Sequence, residues 1–287
     1  HCCATPEQRA YLRALYRYFN LTRFDGRLPD DVPVRLSARM RSALGHMVPG
    51  ETSDGGRYVV EIALNVDLML VGNGAERADT LKRQFNRDFW IRWPNEQYIA
   101  AALDKDGKPQ RAFASNGLHA LWTGIVGGHH AKQMLAGLDR HQMLSGWGVR
   151  TLSPRHPVYD PVTGYHTGCV WGHETAIIAD GMRKSGHRAL ANQVGDQLLD
   201  AARLLPGNRM PEVMTGLPRE PHDKRVGVYP DTCVVQAWSA ASSFQVLTTH
   251  LGLAIDAPNN RIIFDKPSLP TGMKQVHLTN LMVTPGT

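Results

Sequence analysis

Tyr11, Leu12, Leu15, Tyr16 and Phe19 recur on one helical face, with Arg9, Arg13 and Arg17 on another. That spacing predicts a helix from Pro6 to about Phe24. A turn at Asp25-Gly26 should follow, then a Pro-flanked strand over Val32 to Leu36. The polar, Gly-rich run GETSDGGRY reads as a hairpin loop leading into a second strand, YVVEIALN, with helix again over Val66 to Leu70.

From Trp93 onward the pattern turns mostly helical. In PNEQYIAAALD, Pro94 stands at a first turn and Ile99, Ala102 and Leu103 fall at helical spacing. DKDGK (Asp104 to Lys108) is a turn, and no calcium loop, because the ligand series stops early and has no terminal Glu. RAFASNGLHALWTGIV and HHAKQMLAGL read as helices that continue the short-looped hairpins to about residue 140. After an irregular region from Ser145 to Tyr165 come three more helical runs, ETAIIADGMRKSG, HRALANQVGDQLLDAARLL and VVQAWSAASSFQVLTTHLGL. Antiparallel helices without intervening strands are the pattern of a helical toroid. The tail differs: RIIFDKPSLP and KQVHLTNLMV are β-branched and read as short strands.

Composition narrows the class. The chain has 287 residues, 42% of them hydrophobic and 20% charged, as in an ordinary globular protein able to bury a sizeable core. No apolar run reaches the length of a membrane span and no signal peptide is visible, although a chain that starts at His1 leaves a removed leader open. The net charge is +6, yet residues 1–81 hold ten basic and ten acidic side chains. The surplus is spread over the remainder, which argues against a nucleic-acid-binding stripe. Cys2, Cys3, Cys169 and Cys233 lack metal-ligand or disulfide-framework spacing, so reduced thiols in a cytoplasmic setting are expected. The sequon Asn20-Leu-Thr22 carries little weight without a secretory signal.

Chemistry concentrates between Arg209 and Ala240. Glu212 follows a proline at the end of a helical run and precedes a Gly- and Pro-rich loop, beyond which a helix opens with Gln236 and Trp238. A lone acid beside a long loop fits a catalytic base or a sugar-binding acid, and equally a surface Glu at a helix end.

Several motifs add context: GWGVRTLS (Gly146 to Ser153), YDP (Tyr159 to Pro161), YHTGCVWGHETAIIADGM (Tyr165 to Met182) and PSLP (Pro267 to Pro270). With the RMPE of Arg209 to Glu212, the region of about residues 80–287 resembles bacterial glycogen-debranching-type, amylo-α-1,6-glucosidase-like glycoside hydrolases. The resemblance implies a mainly α fold, a partial (α/α)6 toroid. It also implies that Glu212 is the general base of an inverting hydrolase. The family's general acid resembles an Asp in an upstream G-R-D-type motif; the NRD of Asn86 to Asp88 is not that motif, so the base half alone is expected.

Residues 5–81 carry a second resemblance. YFNLTRFDGRLPDDVPVRLSARMRSALGHM and EIALNVDLMLVGNGAERADTL are similar to the front of a SprT-like zinc metallopeptidase domain. That family continues into a zinc-binding HExxH helix, whereas this chain continues TLKRQFNRDFW and contains no HExxH. Neither His46 nor the His129-His130 pair supplies the spacing, so no metal site is expected. The expected division is 1–81, an α+β fragment without a metal site, and 82–287, the C-terminal part of a toroidal glycosidase domain. The two incomplete resemblances meet near Leu81/Lys82 without a linker, which reads as a gene-fusion remnant, a pseudogene or an assembly artefact rather than a selected two-domain protein.

An inverting glycosidase needs two carboxyl groups, and the candidates near family motifs are Asp160, Glu174, Asp180 and Glu212. Asp160 before Pro161 fits a turn, and Asp180 a solvated or capping charge. Glu174 could cap a helix or join Trp171 and His173 on an inner rim. Trp147, Trp171 and Trp238 are expected sugar platforms, while Trp90, Trp93 and Trp122 fit core packing. Arg150 and His166 could bind hydroxyls or fix loops, and His173 fits a hydrogen-bonded histidine better than a metal ligand.

The set of expected substrate-binding residues is Trp147, Arg150, His166, Trp171, His173, Glu174, Gln236 and Trp238, with Glu212 catalytic. The expected partner is an α-glucan or oligosaccharide, with no cofactor, no membrane and no nucleic acid; the oligomeric state is not fixed. The alternatives are a carbohydrate-binding remnant without catalysis, and a SprT-like DNA-associated module without protease activity.

Overall fold

A computed structural model describes residues 6–24, 34–37, 45–51, 57–65, 74–93 and 96–279. The chain divides into two compact units, His1–Leu81 and Lys82–Thr287. The division falls within helix α2 (Gly74–Asp88), so no separate linker joins the two.

In the first unit, α1 spans Pro6–Phe24 as its apolar spacing predicts, with Leu12 buried. Three strands follow, β1 (Val34–Ser37), β2 (Gly45–Glu51) and β3 (Arg57–Asn65), in the sheet order β1-β3-β2. β1 runs parallel to β3, pairing Val34 with Ile62, and β2 runs antiparallel to it. The β2 ladder shifts register between Val48 and Pro49, where proline has no N–H to donate. β2 was not anticipated from sequence. The expected turn at Asp25-Gly26 and the expected helix at Val66 to Leu70 lie outside the described residues.

The second unit opens on a difference from expectation. The run read as a helix from Pro94 instead contains β5 (Glu96–Ile99), antiparallel to β4 (Trp90–Trp93), with Trp90 opposite Ile99 and Ile91 opposite Tyr98. The Ala100 N–H extends the ladder to the Phe89 carbonyl at 2.8 Å. Three apolar residues make a weak helical period, whereas Trp, Ile and Tyr favour a pleated surface packed on both sides. Here Tyr98 lies 5.2 Å from Phe113, ring to ring, inside the core.

Helices then dominate: α3 (Ser115–Thr123), α4 (Gly128–Arg140), α5 (Gly172–Lys184), α6 (Arg188–Leu204) and α7 (Ala237–Leu251). α3 ends on Gly124 and α7 on Gly252, both left-handed, as helix C-termini favour. α5 and α6 form an antiparallel pair across a three-residue connection, and α5 also packs on α3 and α7. α3 approaches so closely that a Cβ at Gly181 would stand 2.6 Å from the Trp122 backbone nitrogen. α4 packs on β5 rather than pairing with α3, which corrects the expected run of hairpins from 93 to 140. One core cluster centres on Leu118, Met134, Ile178 and Met182, a second on Trp147, Leu198, Met210 and Val246.

The fold class is as expected: mainly helical, with helix pairs of a partial (α/α)6 toroid, a small α+β segment before them and short strands after. β8 (Leu253–Asp256) pairs with β9 (Arg261–Phe264), where a strand was expected. No strand forms over residues 274–279 of KQVHLTNLMV; its remainder is not described. Among the described residues no helix is long and apolar enough to cross a membrane.

Candidate functional site

A two-residue ladder brings the motif residues together. β6 (Val170–Trp171) runs antiparallel to β7 (Val213–Met214), with Trp171 opposite Val213. Glu212 and the first turn of α5 are thereby neighbours, although far apart in sequence. Behind them the 209–240 segment folds back on itself. The Glu212 N–H donates to the Cys233 carbonyl at 3.0 Å, and the Gln236 N–H to the Met210 carbonyl at 3.3 Å. The Ser239 hydroxyl has two alternative acceptors, the Glu212 carbonyl at 3.4 Å and Gln236 Oε1 at 3.1 Å. These bonds set the start of α7, with Trp238, beside Glu212.

The side chains form a continuous aromatic chain. The Tyr165 hydroxyl donates to Glu212 Oε1 at 2.6 Å, and its ring meets Trp171 edge-on at 4.6 Å and Tyr229 at 5.4 Å. Trp171 Nε1 donates to the Tyr165 carbonyl at 2.9 Å, and His166 stacks on Trp171 at 5.3 Å. His173 stands edge-on between Trp171 (5.5 Å) and Trp238 (4.4 Å), and Trp238 keeps 61% of its surface exposed. An exposed indole beside a half-buried carboxylate is the combination that stacks a sugar's C–H face while hydrogen-bonding its edge.

Electrostatics separate the groups. The bond to Glu212, reinforced by burial and by that carboxylate's charge, pushes the Tyr165 phenol up to about 12. Burial holds the His173 imidazole below the ordinary histidine range; Glu174 and Glu212 pull the other way, and His119 adds to the lowering. Its Nδ1 is buried and has no hydrogen-bond partner among the described residues, unlike the satisfied histidine that sequence suggested.

The other carboxylates are engaged. Glu174 Oε1 accepts from Ser115 Oγ at 2.6 Å and lies 3.1 Å from His119 Nε2. Asp160 closes a turn, accepting from the Val162 and Thr163 N–H groups and the Thr163 hydroxyl, and these bonds hold it at about 2. Asp180 accepts from Trp122 Nε1 at 2.8 Å and pairs with Lys184 at 2.9 Å. Trp122, expected in the core, is 42% exposed in that arrangement, whereas Trp90 is buried. The side chain of Trp93 is not among those described.

Glu212, Trp171, His173, Trp238, His166 and Gln236 therefore gather, with Glu174 adjoining. Trp147 and Arg150 occupy other positions. Trp147 is 3% exposed, part of the second core cluster, with the Arg219 guanidinium 4.6 Å above its ring. Arg150 is 4% exposed; its Nε donates to the Gly216 carbonyl and its Nη1 to those of Gln142 and Leu144, at 2.6 to 2.9 Å. Sequence reasoning passed over Tyr165, Tyr229, Ser115 and His119. Only Tyr165 had a signal, as the first residue of the YHTGCVWGHE motif.

An open cavity of about 510 Å³ at the start of α6, lined by Arg188, Asn192, Lys266 and Ser268 among others, shares no residue with this cluster. Among the described residues no group of His, Cys, Asp or Glu could hold a metal ion.

No curated protein matches the chain. Similar solved structures include a GH63 mannosylglycerate hydrolase from Thermus thermophilus in complex with Tris, at 19% identity and a TM-score of 0.44, covering 60% of this chain and 36% of that one. Another is neutral trehalase Nth1 from Saccharomyces cerevisiae, at 15% identity and a TM-score of 0.46, covering 61% and 30%. The chain thus spans about a third of the length of these structures. Residues 59–212, more than half of the chain, match the family described as the mannosylglycerate hydrolase MGH1-like glycoside hydrolase domain. The match takes in residues 59–81, which were expected to be part of a SprT-like domain that no comparison supports, and it ends on Glu212. The chain belongs to this family of glycoside hydrolases.

Proposed function

We propose that the chain is the base-bearing part of an inverting glycoside hydrolase, in which Glu212 takes a proton from the water that attacks the anomeric carbon. The observation that carries this reading is the Glu212 carboxylate held by Tyr165 at 2.6 Å within a group of rings that leaves Trp238 open. The bond cleaved is read as an α-glycosidic one, either the α-glucosidic linkage of a debranching substrate or a smaller glycoside of the kind in the family's name. The 1–81 segment is proposed as a separate α+β part without metal-dependent chemistry.

Hydrolysis of a glycosidic bond also needs an acid to protonate the departing sugar oxygen, a group worth about 10²–10⁴-fold. Among the described carboxylates near the motifs, Glu174, Asp160 and Asp180 are all tied to neighbours. That observation favours a second reading, carbohydrate binding with little or no turnover.

A glycosyl fluoride separates the two, because fluoride leaves without protonation. In that reaction water attacks C1, the C1–F bond breaks, fluoride departs and the water's proton passes to Glu212. α-Glucosyl and α-mannosyl fluorides should be hydrolysed with the β-sugar formed first, visible by proton NMR, and Glu212→Gln should lower the rate by about 100-fold or more. A folded protein that retains a glucan in affinity electrophoresis yet turns over neither fluoride would support the second reading and remove the first.

A further inference from the structure

We propose that Tyr165 is a positioning residue for the base: its hydroxyl fixes Glu212 Oε1 and so dedicates Oε2 to the attacking water. The inference rests on the reading of Glu212 as the base.

The geometry supplies the argument. Tyr165 Oη lies 2.6 Å from Glu212 Oε1, a short bond of the kind a phenol makes to a charged carboxylate. Among the described residues this carboxylate accepts no other hydrogen bond. A carboxylate held at one oxygen by a single donor can swing about that bond unless the donor is itself fixed, and Tyr165 is fixed from several directions. Its ring is wedged edge-on between Trp171 at 4.6 Å and Tyr229 at 5.4 Å, and its carbonyl accepts the Trp171 Nε1–H at 2.9 Å. Tyr229 is anchored in turn through its hydroxyl to the Thr163 carbonyl at 3.1 Å. The Glu212 backbone is held independently, by Cys233 on one side and Ser239 on the other. Head and backbone are thus both clamped, which is what a base needs to meet water in one orientation. A phenol pushed up to about 12 stays a donor throughout the range where a carboxylate acts as a base.

Two measurements test this. On α-glucosyl fluoride, Tyr165→Phe should lower kcat about tenfold while KM changes less than twofold, because the lost contact orients the base and touches no sugar. The second readout needs no turnover. Ultraviolet titration, with Tyr165→Phe as the blank, should show the Tyr165 phenol ionising near about 12, and Glu212→Gln should bring it down toward about 10. A Tyr165 pKa that ignores Glu212→Gln overturns the proposal, as does a Tyr165→Phe rate within twofold of wild type when Glu212→Gln is dead. If the titration behaves as expected but Glu212→Gln turns over normally, the clamp stands and the reading of Glu212 as the base fails.

Discussion

Ser115 Oγ donates a 2.6 Å hydrogen bond to Glu174 Oε1, joining the first residue of α3 to the first turn of α5. His119, one turn further along α3, brings Nε2 within 3.1 Å of the same oxygen. The carboxylate side chain is only 12% exposed. It is therefore a brace between two helices on the edge of the aromatic cluster, and no side chain caps α5 at Trp171. Glu174→Ala should lower stability by about 1 kcal/mol, because it removes the short acceptor and leaves the Ser115 hydroxyl only the longer bond to the Thr151 carbonyl at 3.4 Å; Glu174→Gln, which can still accept, should lose about half as much. Urea denaturation midpoints of the two variants provide the check, and equal losses would contradict the bracing role.

Arg150 sits in a motif that looks chemical and makes contacts that hold backbone. Its guanidinium spans carbonyls from three places, Gln142, Leu144 and Gly216, and Tyr159 adds a donor to the last. Burial holds its pKa below the usual arginine value. Arg150→Met should cost about 3 kcal/mol or more. Arg150→Lys should recover only part of that loss, since an ammonium cannot reproduce the planar fork. Carbohydrate retention by the protein that remains folded should be unchanged in either variant, which affinity electrophoresis after partial denaturation would reveal.

These two residues show how far sequence carried the reading. The long helices were legible because a persistent apolar stripe has one structural solution: Ala191, Val194, Leu198, Ala201 and Ala202 of α6 are all buried. Glu96–Ile99 was illegible, because four residues hold no period and the strand exists only through Trp90–Trp93. Glu212 and Trp238 stood out by residue type within a known motif. The partner of Glu212 did not, because Tyr165 lies 47 residues away and only the two-residue β6–β7 ladder closes that gap. Trp147 carried the right chemistry for a sugar platform, but a residue's type does not reveal that Arg219 covers its face.

The two described cysteines should differ sharply toward alkylation. Cys169 is buried and its thiol is pushed up to about 11 by that burial, with the Pro161 and Val162 carbonyls as hydrogen-bond acceptors. Cys233 is exposed, on the loop whose carbonyl takes the Glu212 N–H. Brief iodoacetamide treatment of the native protein near neutral pH should label Cys233 and leave Cys169 untouched until denaturant is added. Peptide mass mapping reads this directly, and native labelling of Cys169 would place that thiol outside the core.

Acid should weaken the turn that carries the YDP motif. The side-chain bond from Thr163, with the backbone N–H groups of Thr163 and Val162, lowers Asp160 from the ordinary carboxylate value of 3.8 to about 2. A depressed folded-state pKa means the ionised form is favoured by folding. Its contribution is therefore complete above about 4 and is lost as pH falls through about 2. Asp160→Asn removes the charge that titrates while keeping an acceptor of similar shape. The variant should be less stable than wild type at neutral pH, and the gap between their thermal midpoints should close as pH is lowered from about 5 toward about 2. A gap that stays constant over that range would mean that the Thr163 bonds act without regard to charge, and that the turn owes its stability to shape alone.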